Sequence, residues 1–137
     1  MTAPHIFRLE PNPSETKLKK FYENLREGRL TTTRCNKCGL THWPPRAVCP
    51  NCMNEELDWI ELSGKGRIYA FTEVMDGAPL GMEGELPYII GVVELDEGIR
   101  LLARIVDTKY SELRIGQQVV LTIKHRGDFA VFSFRPE

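Results

Sequence analysis

The stretch Cys35-Asn36-Lys37-Cys38-Gly39-Leu40-Thr41-His42-Trp43-Pro44-Pro45-Arg46-Ala47-Val48-Cys49-Pro50-Asn51-Cys52 decides how the first half of this chain folds. It holds two Cys-x2-Cys pairs separated by ten residues. Two residues between cysteines let one tight turn aim both sulfurs at the same ion. Two such turns complete a tetrahedron of thiolates, the donor set that suits Zn²⁺. Gly39 follows the first pair, where a knuckle turns back and glycine makes the turn with little steric cost. The second pair has Met53 in that place, a departure that leaves the ligands intact. All 4 cysteines of the chain lie in this stretch, which favours a metal over a disulfide framework. A redox Cys-x-x-Cys pair, disulfides and a rubredoxin-type iron site are the competing readings, and iron shares the tetrahedral four-sulfur preference.

Four thiolates fill the coordination shell, so no position remains for an activated water and the metal's role is structural. In small peptides structural zinc contributes roughly 10–16 kcal/mol of apparent binding energy, which there is folding energy. Few large apolar residues stand between the preceding helix and Trp59, so this segment needs such a contribution. His42 is superfluous as a fifth ligand and is expected to be exposed or to pack. Trp43-Pro44-Pro45-Arg46 forms a stiff bridge between the knuckles, with Trp43 covering the cluster or packing on the barrel.

Toward the N-terminus, Leu18, Phe21, Tyr22 and Leu25 recur at i, i+3, i+4 and i+7, an amphipathic helical stripe. Asn12 can cap that helix, with Pro13 at its first position and Glu15 as a capping-box acid. Gly28 ends it in a left-handed conformation. The stripe packs on the protein's own core or meets a partner through Phe21 and Tyr22. Residues 1–11 show no periodicity and form an arm.

Toward the C-terminus the pattern is β. Leu30 to Arg34 and Asp58 to Leu62 read as strands flanking the metal unit, and Ser63-Gly64-Lys65-Gly66 as a turn or bend. From Arg67 to Met75, simple alternation puts Ile68, Ala70, Thr72 and Val74 on one face and Tyr69, Phe71 and Met75 on the other. Tyr88 to Leu95 and Ile99 to Val106 flank Asp96-Glu97-Gly98, a three-residue hairpin loop with a left-handed final glycine. Asp107 to Leu113 has room for one helical turn. Gln118 to His125 and Ala130 to Phe134, joined at Gly127-Asp128, complete five short antiparallel strands, the makings of a small barrel. The expected organisation is an N-terminal arm and helix over 1–29, a zinc ribbon over 30–62 and a barrel over 63–137.

Composition bounds the function. The chain has 137 residues, 42% hydrophobic and 27% charged, as expected of a globular protein. No apolar run approaches the ~20 residues needed to span a bilayer. The first ten residues lack a basic region followed by an apolar one, so a cytoplasmic location, with reduced thiols, is expected. Net charge is −1, with +1 over residues 1–62 and −2 over 63–137. Nucleic-acid affinity rests largely on basic side chains releasing counterions, and this balance argues against it.

The order of pieces carries a resemblance. The helix with Phe21-Tyr22 and Leu25 leads to Leu30, Arg34-Cys35-x2-Cys38-Gly39, Trp43-Pro44-Pro45-Arg46 and Cys49-Pro50-x-Cys52. Trp59, Gly64, Gly66, Arg67-Ile68-Tyr69-Ala70-Phe71-Thr72, Pro87-Tyr88-Ile89-Ile90-Gly91-Val92-Val93 and Leu113-Arg114-Ile115-Gly116 follow. Over about residues 15 to 135 the chain resembles the zinc-ribbon OB-fold proteins of acyl-CoA metabolism, long catalogued as a domain of unknown function. That resemblance implies a mainly β protein: an N-terminal helix, a rubredoxin-like zinc ribbon and a five-stranded OB-fold barrel. It also implies a non-catalytic subunit in a hetero-oligomer with a thiolase-like enzyme, or joined to an enoyl-CoA hydratase partner. Acyl-CoA would then lie at or near the interface.

No catalytic constellation of the chain's own is visible. There is no Ser-His-Asp set on a nucleophile turn and no phosphate-cradling glycine loop. With Cys35, Cys38, Cys49 and Cys52 committed to metal, no thiol is free to carry an acyl group. Glu94 and Asp96, beside a hairpin, could act as an acid and a base, but two carboxylates so placed are more often a solvated turn. For CoA phosphates the basic candidates are Arg46, Lys65 and Arg67. The long connection Asp76 to Pro87, with Leu80 and Met82, is the expected partner-facing loop. A single-stranded nucleic-acid module, with Tyr69 and Phe71 stacking bases, is the competing function.

Overall fold

A computed structural model of the chain describes residues 18–78, 83–126 and 129–137. It divides into two compact units. One comprises 18–63 with 125, 126 and 129–131; the other comprises 64–78, 83–124 and 132–137.

The first unit begins with helix α1, Lys19–Arg26, whose N-cap is Leu18. The capping box expected at Asn12 to Glu15 lies outside the described residues. At the other end the chain stops the helix as its sequence predicts. Gly28 takes φ +87°. Its N–H donates to Leu25 O at 3.0 Å and the Arg29 N–H donates to Asn24 O at 2.9 Å, the paired bonds of a Schellman cap. The stripe turns inward: Phe21 and Leu25 are buried, with Asn24 between them. The Phe21 ring meets Trp43 edge-on at 6.0 Å, so Trp43 packs on the helix.

Strands β1, Thr31–Cys35, and β2, Leu57–Glu61, pair antiparallel from Thr31↔Glu61 to Cys35↔Leu57. The other edge of β1 is lined by the segment after the first knuckle. The His42 N–H donates to Thr33 O and the Cys35 N–H to Leu40 O, both at 2.9 Å. β1 is therefore the middle of a small three-row ladder and is enclosed on both sides, which explains three consecutive buried threonines. Each hydroxyl is satisfied. Thr31 Oγ1 accepts from Asn24 Nδ2, Thr32 donates to the His42 carbonyl, and Thr33 Oγ1 meets His42 Nδ1 and accepts from the Arg46 N–H. Leu30, fully buried just before β1, supplies apolar area worth about 1.5–3 kcal/mol.

The second architecture is a closed barrel of β3 (Lys65–Val74), β4 (Tyr88–Leu95), β5 (Arg100–Ile105), β6 (Gln118–Arg126) and β7 (Phe129–Pro136), in the order β3-β4-β5-β7-β6. β3 starts at Lys65, so Lys65 and Gly66 are strand residues, not the bend expected from the glycines. They pair with Val120 and Val119 and close the barrel. The β3–β4, β3–β6 and β4–β5 pairs are antiparallel, whereas in β5–β7 Arg104↔Ser133 and Ile105↔Phe134 run parallel; the expectation of five antiparallel strands is corrected there. A parallel neighbour needs a crossover, supplied by the connection that includes a 3-10 turn at Tyr110–Glu112 and by β6. The Asp96-Glu97-Gly98 hairpin forms as expected, with Gly98 at φ +85° and the Leu95 N–H donating to Ile99 O at 2.8 Å.

One strand departs from its sequence pattern. On β3, Ile68 faces Val93 while Ala70 faces Val92, so Tyr69 is an extra residue in a β-bulge. The bulge flips the phase of everything after it. Ile68 points into the core, Tyr69 and Ala70 both lie outside, and Phe71 turns half inward beside Tyr110, 5.5 Å ring to ring. Ala70 and Thr72 therefore do not share the face of Ile68. Core-facing Val93, Leu101, Val119 and Phe134 fill the barrel. Among the described residues no helix is long and apolar enough to cross a membrane.

Candidate metal centre

The four sulfurs come together from two turns at the end of the ribbon. Cys35 ends β1; Cys38 follows in a turn closed by the Gly39 N–H donating to Cys35 O at 3.0 Å. The second turn repeats this geometry, with the Met53 N–H donating to Cys49 O at 2.8 Å. Gly39 takes φ +80° and Met53 takes φ +65°. The second knuckle therefore makes the same left-handed turn without a glycine and places an exposed methionine there. The first knuckle has a brace as well, Arg34 Nε donating to Gly39 O at 3.2 Å.

The donor set fits a tetrahedral ion. With metal–sulfur bonds of about 2.3 Å, a regular tetrahedron sets sulfurs about 3.8 Å apart. Here Cys35–Cys52 and Cys38–Cys49 are separated by 3.5 and 3.6 Å, and all four sulfurs lie within 4.8 Å of one another. Backbone N–H groups point at the sulfurs. Those of Lys37 and Cys38 reach Cys35 Sγ, each at 3.4 Å.

The electrostatics explain why the site demands a cation. The Cys38 N–H, helped by the Asn54 amide and the Lys37 N–H, outweighs burial and draws the Cys35 thiol down to about 5. Cys38 is also lowered, first by the Leu40 N–H and then by the Asn51 side chain. Cys52 goes the other way. The Asn54 N–H favours its thiolate, but burial and the three neighbouring sulfurs push it up to about 11. Without a positive ion the Cys52 thiolate forms less readily beside its neighbours. A dication removes that conflict and deprotonates its ligands.

His42 is no ligand and is not exposed. It is 3% accessible, its Nδ1 lies 2.8 Å from Thr33 Oγ1, and its Nε2 meets no partner among the described residues. It packs against β1 and shapes the bridge between the knuckles.

The remaining expected site residues fall in different places. Arg46 is exposed on the ribbon's bridge. Lys65 and Arg67 are exposed on one face of β3. Arg67 is ion-paired with Glu94 at 2.7 Å, and Arg100 holds the second carboxylate oxygen at 2.9 Å. The two guanidiniums, Arg67 foremost, hold the Glu94 carboxyl below its ordinary range. Glu94 is therefore an ion-pair hub, not one half of an acid–base pair. A cavity of about 480 Å³ lies beside it, lined by Gly66, Arg67, Glu94, Asp96 and Gln118 among others. Tyr69 is exposed, but Arg100 covers its ring at 3.9 Å. Phe21 is buried within its own unit and Tyr22 half-buried; Leu80 and Met82 lie outside the described residues. Sequence reasoning missed Asn54, which touches the site from several sides. Its only signal was a position two residues past the last cysteine.

Comparison with known proteins now places this geometry. Residues 23–58 match the rubredoxin-like zinc ribbon domain of ChsH2, and 59–124 its C-terminal OB-fold domain. The chain belongs to the ChsH2-type zinc-ribbon/OB-fold (DUF35) family. The four-cysteine cluster is thus the family's structural zinc site. A DUF35 domain-containing scaffold protein of Methanocaldococcus jannaschii is 39% identical over 77% of this chain and 77% of its own length. The benzoylsuccinyl-CoA thiolase subunit BbsA of Thauera aromatica is 34% identical over 66% of this chain, and the match spans 60% of that subunit. Among solved structures, an Ltp2–ChsH2(DUF35) aldolase chain superposes with a TM-score of 0.81 at 28% identity, covering 94% of this chain and 98% of that one. DUF35 relatives thus include named subunits of CoA-thioester enzymes, which supports an accessory role for this chain.

Proposed function

We propose that this DUF35 chain is a zinc-containing accessory subunit of a thiolase-like, acyl-CoA-processing complex, stabilising its partner enzyme and helping to hold or channel the CoA thioester. The observation that carries this reading is the closed four-sulfur shell. Every thiol of the chain is committed to it, so none remains to carry an acyl group, and a filled tetrahedron has no place for a reacting water. The chain then works as a folded shape that a larger enzyme uses, in a hetero-oligomer located in the cytoplasm. The zinc ribbon occupies 30–62 and the barrel 63–137, following the arm and helix of 1–29.

In this reading Arg46, Lys65 and Arg67 meet the phosphates of CoA. Arg46 is the best placed of the three, since its guanidinium has no partner among the described residues, whereas Arg67 is held by Glu94. The loop 76–87 with Leu80 and Met82 meets the enzyme, as do Tyr22 and, packed beside it, Phe21. A single-stranded nucleic-acid role gains nothing from the barrel: Tyr69 is covered by Arg100, and the barrel sequence is net acidic.

The test is affinity purification from the native host, followed by reconstitution. Recovery of a thiolase-like enzyme, whose turnover falls when this chain is removed, is the expected result. Deleting residues 78–85 should weaken the association. Recovery of RNA or DNA without such an enzyme, or turnover by the isolated chain, overturns the proposal.

A further inference from the structure

Asn54 joins the two knuckles. Its Nδ2 lies 3.5 Å from Cys35 Sγ, 3.0 Å from Asn36 Oδ1 and 2.9 Å from Glu56 O. Its Oδ1 accepts from the Glu56 N–H at 3.2 Å, which fixes which end of the amide faces the sulfur. The main chain of the same residue serves the second knuckle. Its carbonyl accepts from the Cys49 N–H at 2.9 Å, and its N–H donates to Cys52. One residue thus touches three of the four ligand residues. Its side chain reaches the first knuckle while its backbone belongs to the second.

We propose that Asn54 is the positioning residue of the zinc site: its side-chain amide clamps the knuckles in register and, by donating to Cys35, slows metal loss. The physical reason is charge. Four thiolates around one dication leave a dianionic cluster, and each N–H that points at a sulfur offsets part of that charge. Most N–H donors here are main-chain groups of the sulfur's own knuckle, fixed by local turns. The Asn54 amide is different, because it crosses from one knuckle to the other. It couples the positions of the two turns as well as solvating a sulfur. The Asn51 side chain makes a second crossing of this kind, to Cys38. This inference concerns the metal site alone and stands or falls independently of any partner enzyme.

The test uses the zinc-loaded full-length chain and follows zinc transfer to excess 4-(2-pyridylazo)resorcinol. Asn54→Ala, which leaves the backbone contacts in place, is expected to transfer zinc about 10–100-fold faster, the range typical for loss of a ligand's supporting partner. Asn54→Asp should be faster still, since it replaces a donor by an anion beside Cys35. Glu55→Ala, an exposed neighbour, should match the wild type. In the cobalt-substituted protein, the thiolate-to-metal charge-transfer band should shift in Asn54→Ala and Asn54→Asp. A purely structural role would lower the melting temperature and leave this band in place. Transfer within about twofold of wild type for both variants, or a lowered melting temperature with unchanged transfer and an unchanged band, overturns the proposal. Should Asn54→Ala fail to fold, Asn54→Ser, which retains a short donor, carries the same comparison. Transfer between wild type and Asn54→Asp supports the clamp, and a wild-type rate refutes it.

Discussion

Replacing Gly66 with alanine forces the seam of the barrel to open or to strain. Gly66 pairs with Leu95 on one side and Val119 on the other, where β3 closes the sheet. A Cβ at this position would lie 2.4 Å from the carbonyl oxygen of Glu94, against an ordinary contact of 3.4 Å or more. The obstacle is main chain, so no rotamer change relieves it; the strands must part by about 1 Å locally. A ladder bond stretched from about 2.9 to about 3.9 Å is no longer a hydrogen bond. Losing two such bonds at about 1 kcal/mol each gives about 2 kcal/mol, within the 1–3 kcal/mol typical of overpacking. Alanine restricts the unfolded chain and returns about 0.4–1 kcal/mol. The net loss is about 1–1.5 kcal/mol, or about 5–10 °C in Tm for a domain of this size. Gly84→Ala is the control, because nothing lies within 4 Å of its Cβ and its φ is not positive. Thermal melts followed by far-UV circular dichroism compare the two. Gly66→Ala melting within about 2 °C of wild type would refute the seam argument.

Other expectations concern the knuckles and the ion-pair hub. Gly39→Ala adds a Cβ with no neighbour closer than 3.8 Å but at φ +80°, so it should cost about 1–2 kcal/mol through backbone strain alone. Met53→Gly removes similar strain at φ +65° but frees the unfolded chain; it should be neutral or stabilising by up to about 1 kcal/mol, read from urea melts of the zinc-loaded protein. Because Glu94 titrates lower in the folded state than in the unfolded chain, its contribution is present above the ordinary glutamate value, about 4.3, and is lost as pH falls through the folded one. Glu94→Gln should therefore flatten the decline of Tm below about pH 4. Stripping zinc with a strong chelator should collapse the ribbon, read from fluorescence of Trp43 and Trp59, while amide exchange in β4 and β5 stays slow.

Signals that are local in sequence were the ones that could be read there. Cysteine spacing announces a four-sulfur site because each pair is formed by a single turn. Gly28 and Gly98 announce their turns because their conformations are costly for other residues. What the sequence hides depends on contacts between distant segments. The bulge at Tyr69 is set by the register of β4, and Arg67 to Met75 alternates too smoothly to reveal it. The parallel β5–β7 pair follows from barrel closure, which strand patterning does not encode. His42 could be exposed or packed as far as its sequence shows, and only β1, by supplying Thr33 as its neighbour, decides for packing. Asn54 lies outside the cysteine spacing, and only the fold brings its amide to Cys35. Met53 shows that a left-handed knuckle can be made without the residue best suited to it.

The run Thr31-Thr32-Thr33 has a consequence for how the ribbon comes apart. A strand fastened at both borders, with every hydroxyl tied to a neighbouring segment, has no edge from which it can be peeled. Loosening it would strip donors and acceptors from the helix, the bridge and the first cysteine turn together. The ribbon should therefore behave as a latch with two settings, shut or sprung, and the release of its ion should coincide with the release of that strand.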